Sequence, residues 1–384
     1  MARFAQLGND LYTGKRSFDI VGRRKLWYTI SAILIAVSLV GLVGRGLNFG
    51  IEFRGGSELR ISSVADTSQY EDAAAAAVEI AAPEAEATVT LIGDDTVRVQ
   101  TGQLESAQSE EVRADLAEAF GVSTDEVTSS FVGPSWGDTV TTKAIQALVV
   151  FLLLVSLVLA LYFRTWKMAA AALVALLHDV VFTVGVYALL GIEVSPASMI
   201  GFLTILGYSI YDTIVVFDKV RESTEQAMDT GRMTYAQAAN LAVNQTLVRS
   251  INTSVVALLP VATILVVGVA FIGPGTLLDL AVALFVGIAV GTFSSIFIAT
   301  PLLVQLRLGD EEVVALDKRV ERKETRSEAR QGVAAKGAEA VESDEMDDAA
   351  GPSQARDSVV GRSVHPYAQR GPRNQPKRPP KSRR

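Results

Sequence analysis

Cysteine is absent from the 384-residue chain, and histidine occurs only twice, as His178 and His365. Without cysteine the chain has no disulfide framework and no thiolate metal site, and two histidines so far apart in sequence form no local metal-binding motif. A phosphate-binding loop of the form GxxxxGK[ST] is also missing from the sequence, so no nucleotide site is expected. Stability is therefore expected to come from packing, lipid and partners.

Long apolar runs are what the chain has in abundance. Hydrophobic residues make up 49% of the sequence, and the mean hydropathy is +0.31, which does not fit a soluble protein. A run of about 20 apolar residues is long enough to cross a bilayer as a helix. The sequence therefore predicts a polytopic α-helical membrane protein with six transmembrane helices. The runs cover residues 27–43, 144–163, 168–190, 197–218, 250–270 and 277–306.

Basic residues predict the orientation of these helices. They cluster at residues 15–25, before the first run, at 164–167, and at 219–249, whereas the connections 191–196 and 273–275 carry none. The positive-inside rule then puts both termini in the cytoplasm and makes the first run a signal anchor. The alternative, a cleavable signal peptide, lacks a small-x-small cleavage site after the run.

The segment between the first two runs has the pattern of a small folded domain. It is less hydrophobic and its acids far outnumber its bases, which fits an extracytoplasmic location. Apolar residues alternate with polar ones from 51 to 61, around Gly55 and Gly56, which predicts a strand with a break at the glycines. The complete order β-α-β-β-α-β is that of a ferredoxin-like α+β sandwich. The other predicted elements are helices at 68–82 and 104–120 and strands at 87–92, 96–100 and 126–132.

The chain after residue 306 turns polar, first acidic and then rich in proline and arginine. This composition predicts a disordered cytoplasmic tail. Its basic end either holds anionic lipid or ribosomal RNA by charge, or is a solvated tail that supports the orientation. The predicted organisation is a cytoplasmic segment (1–26), transmembrane helix 1 (27–46), the extracytoplasmic domain (47–143), transmembrane helices 2–6 (144–306) and the tail (307–384).

Asp212 is the residue with the clearest functional signal, because it lies inside the fourth apolar run. Burying an aspartate at the centre of a spanning helix costs about 2.5 to 3.5 kcal/mol, so such residues usually belong to an ion pathway or pair with a neighbour. Asp218 lies at the basic border and is expected to be a solvated helix-end charge. Arg249 begins the fifth run at a similar depth. A guanidinium near a carboxylate favours its charged form, so Asp212 and Arg249 predict a switchable proton site. The alternative for Arg249 is a snorkelling side chain at a helix end.

His178 and Asp179 lie near the middle of the third apolar run. Adjacent residues point about 100° apart on a helix, so both face the bundle only if its inner face is broad. A proton-relay role and a structural His-Asp hydrogen bond are equally open. The small residues Gly287, Gly291, Ser294 and Ser295 of the sixth run predict close helix packing.

Several motifs together resemble one known family. They are the segments 50–56 (GIEFRGG), 132–137 (VGPSWG), 177–181 (LHDVV), 207–222 and 244–254. In these motifs the chain resembles SecF of the SecD/SecF family, a bacterial protein-export family within the resistance-nodulation-division (RND) superfamily. The resemblance covers nearly all of residues 20–306. Three positions depart from the family pattern: Glu52 stands where aspartate is usual, Arg54 where a small residue is usual, and Tyr211 where asparagine is usual.

The resemblance implies a function, which is a proton-driven and non-enzymatic role in the late steps of secretion, located in the bacterial cell membrane. Carried over by position, Asp212 is the family's relay acid and Arg249 its fifth-helix arginine, with protons as the only cofactor. The implied partners are a SecD-like membrane subunit, the SecYEG channel, YajC, the translocating polypeptide and membrane lipid, with no specific nucleic acid. Supporting roles would fall to His178, Asp179, Tyr211, Asn252, Thr253 and Ser254.

Two other classes of function remain alternatives. A half-exporter for lipids or drugs of the same superfamily would call for a larger substrate-binding region than the segment of fewer than 100 residues found here. An intramembrane aspartyl protease would use Tyr211 and Asp212 with a second acid, because two carboxylates share a proton in that chemistry. The second acid would have to be Asp179 or Asp279, and neither lies in a Gly-x-Gly-Asp sequence.

Overall fold

The structure, a computed structural model, describes residues 6, 9–11, 13–163, 165–272 and 275–326, with the side chains of 271 and 272 left out. Among these residues, six helical segments are long and apolar enough to cross a membrane. The last of them is continuous through a π-helical turn at Ser295–Ala299. In chain order the elements are α1 (Arg24–Gly44), β1 (Asn48–Phe49), α2 (Ile51–Arg54), β2 (Gly56–Ile61), α3 (Tyr70–Ala81), β3 (Ala87–Ile92), β4 (Thr96–Thr101), α4 (Ser106–Phe120), β5 (Val127–Val132), α5 (Pro134–Phe163), α6 (Trp166–Leu190), β6 (Glu193–Val194), α7 (Pro196–Thr230), α8 (Tyr235–Val267), α9 (Thr276–Ser294), α10 (Thr300–Arg307) and α11 (311–323).

The segment between α1 and α5 folds as the expected ferredoxin-like sandwich, which is called the sheet domain below. Its four strands lie in the order β3-β4-β2-β5, and every neighbouring pair is antiparallel. Helices α3 and α4 cover one face of this sheet. Leu59, Ile61, Val97, Val99 and Leu116 are fully buried between the two layers, so the alternation of apolar residues on each strand supplies the core.

The strand predicted from 51 to 61 is wrong in its first half. Residues Ile51–Arg54 form the short helix α2, and only Gly56–Ile61 form a strand. The two halves pack against different parts of the protein. Phe53 of α2 packs into the core of the membrane helices, whereas Leu59 and Ile61 of β2 are buried in the core of the sheet domain. Gly55 separates the two halves at φ 75°, a backbone conformation that favours glycine.

Close helix packing at the small residues of α9 is confirmed for the glycines. A Cβ atom on Gly287 would lie 2.1 Å from the Ile205 side chain of α7, and one on Gly291 would lie 3.0 Å from the Ser209 side chain. Both contacts bring α9 against the middle of α7. The bundle therefore places the polar residues of α7 next to those of α9, which matters for the site described below.

Helix α5 shows how the bundle meets the bilayer. Only 6% of its most apolar stretch is buried within the structure, and Leu153, Leu157 and Leu161 are exposed. Large exposed apolar side chains in such numbers are unfavourable in water and are at home in hydrocarbon. The exposed surface of α5 therefore fits the interior of a membrane.

Two asparagines of α8 hold the segment that precedes α1. The Asn244 side chain accepts a hydrogen bond from the backbone N–H of Phe18 at 2.7 Å and donates one to the Phe18 carbonyl at 2.9 Å. The Asn240 side chain accepts from the N–H groups of Ile20 and Val21 at 2.9 and 3.1 Å. This short segment is therefore part of the folded unit.

The disordered tail predicted from residue 307 is wrong for its first part. Residues 311–323 form α11, whose Val313, Leu316 and Val320 are buried in the main hydrophobic core. Their spacing of three and four residues makes one apolar helix face, which packing stabilises despite the surrounding charges. Residues 324–384 form a second unit, of which only 324–326 are described, as helix. The rest of the predicted tail lies outside the described residues.

Candidate functional site

Two buried carboxylates lie on neighbouring spanning helices at the centre of the bundle. Asp179 of α6 is 1% exposed, and Asp212 of α7 is 6% exposed. An isolated charge in an apolar interior is very costly, so a buried carboxylate needs hydrogen-bond donors around it. In this chain serine hydroxyls supply most of those donors.

Three groups hold the Asp179 carboxylate. The Ser209 hydroxyl of α7 donates to Oδ2 at 2.5 Å, and the Ser294 hydroxyl of α9 donates to the same oxygen at 2.8 Å. The imidazole of His178 lies with Nδ1 3.1 Å from Oδ1. Because three helices contribute to these contacts, Asp179 ties α6, α7 and α9 together.

Among the residues that the structure describes, two groups hold the Asp212 carboxylate. The Ser250 hydroxyl of α8 donates to Oδ1 at 2.8 Å. The Ser295 hydroxyl, at the start of the π-helical turn, donates to Oδ2. Asp212 therefore joins α7 to the fifth and sixth spanning helices, and it has one donor fewer than Asp179.

The local sequence explains why both acids are reached from the same elements. Ser209 and Asp212 are three residues apart on α7 and so share one helix face. Ser294 and Ser295 are adjacent and point about 100° apart, so that one reaches α6 and the other α7. Single π turns inside α-helices often accompany functional sites, and here the turn begins at Ser295.

A further group of hydroxyls continues from Asp212 along the bundle. Ser254, one turn beyond Ser250 on α8, lies 3.2 Å from the Tyr208 hydroxyl and 2.5 Å from the Thr292 hydroxyl. Each of these hydroxyls can both donate and accept. Ser254 also donates to the backbone carbonyl of Ser250 at 2.8 Å, so this cluster of hydroxyls lies one helical turn from the serine that holds Asp212.

The predicted pair His178 and Asp179 is present as a hydrogen bond between two buried side chains. The His178 ring stacks on Phe182 with 6.4 Å between ring centroids. Its Nε2 atom is buried and has no hydrogen-bond partner among the residues that the structure describes. The relay role of this pair stays a prediction.

The structure does not bring four of the predicted site residues to Asp212. Arg249, Asn252 and Thr253 are exposed on α8, and Tyr211 is 55% exposed on α7. Within the described ranges, the Arg249 guanidinium has no carboxylate within 4 Å; with Asn252 and Thr253 it lines a cavity of about 900 Å³ that also contains Asp218. Of the predicted supporting residues on α8, only Ser254 is near the buried acids.

Sequence reasoning missed the four serines that hold the acids, Ser209, Ser250, Ser294 and Ser295. Ser209 precedes Asp212 by one helical turn, which is a usable signal. Ser294 and Ser295 were interpreted as small packing residues, because they follow Gly287 and Gly291 on α9. The sequence around these serines does not indicate which acid each of them contacts. All four are at least 98% buried.

The geometry does not favour an aspartyl-protease dyad. Asp279 lies near the start of α9, and Ser294 and Ser295 are 15 and 16 residues further along the same helix. At 1.5 Å per residue this is about 22 to 24 Å, so Asp279 is far from both serine-bound acids. Asp179 and Asp212 each bind their own serines, whereas a dyad needs two carboxylates that share one proton.

Comparison with known proteins assigns the family. Residues 112–309 match the family described as protein export membrane protein SecD/SecF, C-terminal, and residues 40–64 match the SecD/SecF GG motif. The chain is 44% identical over 381 residues to a protein translocase subunit SecF of Streptomyces coelicolor, covering 98% of this chain and 96% of that protein. It is 44% identical over 318 residues to SecF of Mycobacterium tuberculosis, covering 81% of this chain and 72% of that protein.

A solved structure agrees with these relatives. The crystal structure of SecDF from Thermus thermophilus, titled a translocon-associated membrane protein, matches 76% of this chain with a TM-score of 0.67 and 32% identity. This chain spans only 39% of that SecDF chain. The sequence matches and the shared fold lead to one conclusion: the chain belongs to the SecD/SecF family of protein export membrane proteins.

Proposed function

We propose that this membrane protein is an accessory subunit of the Sec export machinery. In this proposal it uses the proton-motive force to drive late steps of polypeptide translocation through the SecY channel. The observation that carries the proposal is the pair of buried carboxylates on α6 and α7, each bound by serine hydroxyls from neighbouring helices. Ionisable groups at this depth mark proton and ion pathways in membrane proteins. Family membership favours a polypeptide over a lipid or a drug as the transported molecule.

Asp212 is the acid that changes its protonation state in this proposal. Two serine hydroxyls donate hydrogen bonds to its carboxylate. If α8 or the π-helical turn shifts, Ser250 or Ser295 turns from donor to acceptor, and the neutral acid then becomes the better partner. One proton moving through 100 mV yields about 2.3 kcal/mol, which changes a two-state population by roughly fiftyfold when coupling is complete. Protons suffice as the energy source, and no nucleotide is invoked.

The proposed orientation follows the basic residues. Both termini face the cytoplasm, and the sheet domain lies on the opposite side of the membrane. Asp212 is six residues before Asp218, so it lies about 9 Å from the basic border of α7. A proton that reaches Asp212 from the sheet-domain side has therefore crossed most of the membrane.

A SecD-like membrane subunit is the proposed partner within the bilayer. Arg249, Asn252 and Thr253 of α8 line one exposed cavity, and Tyr211 is exposed on α7. Polar side chains on a lipid-facing surface are costly, and a second set of spanning helices would bury them. Arg249 could then meet an acid of the partner or approach Asp212 as the helices move. The SecYEG channel, YajC and the emerging polypeptide are further partners in this proposal.

The test is a translocation assay in vesicles that contain the chain, a SecD-like subunit and SecYEG. Asp212→Asn keeps the shape of the side chain and removes its proton exchange, so the part of the rate that depends on an imposed proton gradient is expected to vanish. Asp229→Asn, an exposed carboxylate on the same helix, is the matched control and should behave as wild type. Full gradient-dependent translocation by the Asp212→Asn variant would refute the proposal. Co-purification of the partner from membranes tests the assembly separately.

A further inference from the structure

A short ribbon at one end of the bundle carries the sheet domain. Strands β1 and β6 pair in parallel, with Phe49 opposite Val194, and the Gly50 N–H donates to the Val194 carbonyl at 3.0 Å. The ribbon thus joins the linker that enters the sheet domain to the linker between α6 and α7. Phe53, three residues further on, is buried among the membrane helices. The ribbon and α2 therefore belong mechanically to the bundle.

The face of the sheet that is free of α3 and α4 rests on this ribbon through one glutamate. The Arg98 guanidinium of β4 donates from Nη2 to Oε2 of Glu193 at 2.9 Å. The Gln100 amide donates to the other oxygen of Glu193 at 3.1 Å and to Glu58 Oε2 at 3.2 Å. The side chains of Arg98 and Glu193 are only 12% and 14% exposed. Glu193 is therefore the polar anchor of the sheet domain.

A second carboxylate, that of Glu52, lies beside this anchor, and one of its two oxygens lacks a donor among the described residues. Glu52 Oε2 is buried and has no hydrogen-bond partner within the part of the chain that the structure describes. A Cβ placed on Gly50 would lie 2.5 Å from Glu52 Oε2 and 2.7 Å from Glu193 Oε1. Both oxygens thus lie close to Gly50, and a Cβ at this position would push the ends of the two glutamates aside.

The charges around Glu52 are mostly of its own sign. Glu193 faces it from β6, Glu58 from β2 and Asp279 from α9, whereas Arg98 is the base that faces it from β4. Burial raises the pKa of Glu52, and the Glu193 and Glu58 carboxylates raise it further, while its own backbone amide and Arg98 act in the opposite direction. Since Arg98 is already bound to Glu193, no residue in the described part of the chain supplies Glu52 with a cation of its own.

We propose that Glu52 holds a proton and donates it to Glu193 Oε1, so that this carboxyl pair fastens the sheet domain to the membrane helices. A protonated carboxyl is a donor and the second oxygen of Glu193 is an acceptor, which satisfies the atom that otherwise lacks a partner. When both groups are ionised, their oxygens repel each other and Glu193 moves away from Arg98 and Gln100. The sheet domain is then free to turn at Gly55 and Gly56, whose φ angles are 75° and 146°.

The sign of the pH dependence follows from linkage. In the attached state the pKa of Glu52 is raised, and in the detached state water surrounds the group and its pKa returns to about 4.5. Attachment is therefore fully favoured below the ordinary carboxyl range and is lost as the pH rises through the raised pKa. This inference goes beyond the proposed function, because it concerns the seat of the sheet domain and does not involve Asp212.

Spin-label distances in the full chain test the inference. The sequence has no cysteine, so Val43→Cys on α1 and Ile80→Cys on α3, both at exposed positions, accept labels selectively. In lipid nanodiscs, with no gradient across them, the distance distribution is expected to be narrow at pH 5 and broad at pH 8. Glu52→Gln introduces an amide that is a neutral donor at every pH, so the distance distribution of this variant should stay narrow at both pH values. Glu84→Gln, an exposed carboxylate of the same domain, should keep the wild-type change.

Gly50→Ala is the second variant. The Cβ of the new alanine would hold the carboxyl groups of Glu52 and Glu193 apart, so the distance distribution should be broad at both pH values. The proposal is overturned if Glu52→Gln keeps the wild-type pH response, if Gly50→Ala still narrows at pH 5, or if Asp279→Asn abolishes the response while Glu52→Gln does not. A wild-type distribution that does not change between the two pH values overturns it as well. None of these outcomes bears on Asp212, so the proposed function is tested separately.

Discussion

Replacing Ser295 by alanine removes one of the two hydroxyls that hold Asp212. Replacing its neighbour Ser294 removes one of the three groups that hold Asp179. Both serines are fully buried, and alanine is the best helix former, so the two variants differ mainly in which acid loses a donor. Comparing the two variants therefore shows which of the two acids limits transport.

The structure sets the expected magnitude. A hydrogen bond to a charged group contributes about 1.5 to 3 kcal/mol, and 1.4 kcal/mol is a factor of ten in an equilibrium. Ser295→Ala leaves Asp212 with Ser250 alone among the described donors, so the population in which the carboxylate is correctly held falls roughly ten- to a hundredfold. If this state is part of each transport cycle, the gradient-driven rate falls by about tenfold or more. Ser294→Ala leaves Asp179 with two partners and should affect that rate at least about threefold less.

The assay is gradient-driven translocation in vesicles with the SecD-like subunit and SecYEG, with thermal unfolding as a check on folding. Ser250→Ala is the companion variant, because it also leaves Asp212 with a single donor and should resemble Ser295→Ala. A wild-type gradient-driven rate in Ser295→Ala would refute the reasoning. A larger loss in Ser294→Ala than in Ser295→Ala would move the proton-carrying role to Asp179.

Two further predictions concern stability. Gly185→Ala would place a Cβ 2.1 Å from the Ser38 Cβ and 2.7 Å from the Ser38 Cα. Helices α1 and α6 must then separate, which should lower the stability by about 1 to 3 kcal/mol in a thermal melting experiment in detergent. In the control variant Gly207→Ala the new Cβ meets nothing within 4 Å, so the stability should be unchanged or higher. The hydrogen bond from Lys167 holds the pKa of Asp310 below its usual value of 3.8, so the stability from this pair is present above that value and lost as the pH falls through the lowered pKa. Because both side chains are about a quarter exposed, Asp310→Asn should cost under about 1 kcal/mol at pH 7. The melting curves of the two forms should converge once the pH has fallen through the lowered pKa of Asp310.

The six spanning helices and the ferredoxin-like domain could be predicted because both leave a periodic or compositional signal. Long apolar runs identify spans, and alternation along β2 to β5 identifies a half-buried sheet. The ends of the helices could not be predicted from hydropathy. Helix α7 continues to Thr230, twelve residues beyond the predicted span, and ends at Gly231 with φ 55°. Its polar extension packs on protein rather than lipid, so the hydropathy falls while the helix continues.

The site was predicted in part. The cost of a buried charge identified Asp212, and the burial of His178 and Asp179 agrees with a broad inner face of α6. The serine donors could not be predicted, because their partners lie up to 115 residues away in sequence and a serine in a span is equally consistent with simple packing. For Arg249, hydropathy fixes depth in the membrane but not the direction in which a side chain points. The exposed position of Arg249 results from the orientation of α8 about its own axis relative to α7.

The contacts of Asn240 and Asn244 with residues 17–21 have a consequence for biosynthesis. Phe18 and Asn244 are separated by 226 residues, so the segment before α1 cannot reach its final place until α8 has been made. At about 5 to 20 residues per second, the ribosome needs roughly 10 to 45 s for that interval. During this time the first helix is already in the membrane while its neighbouring segment is still accessible. We therefore expect residues 17–21 to be sensitive to protease early in synthesis and to become protected when the fifth span, which carries Asn240 and Asn244, is inserted.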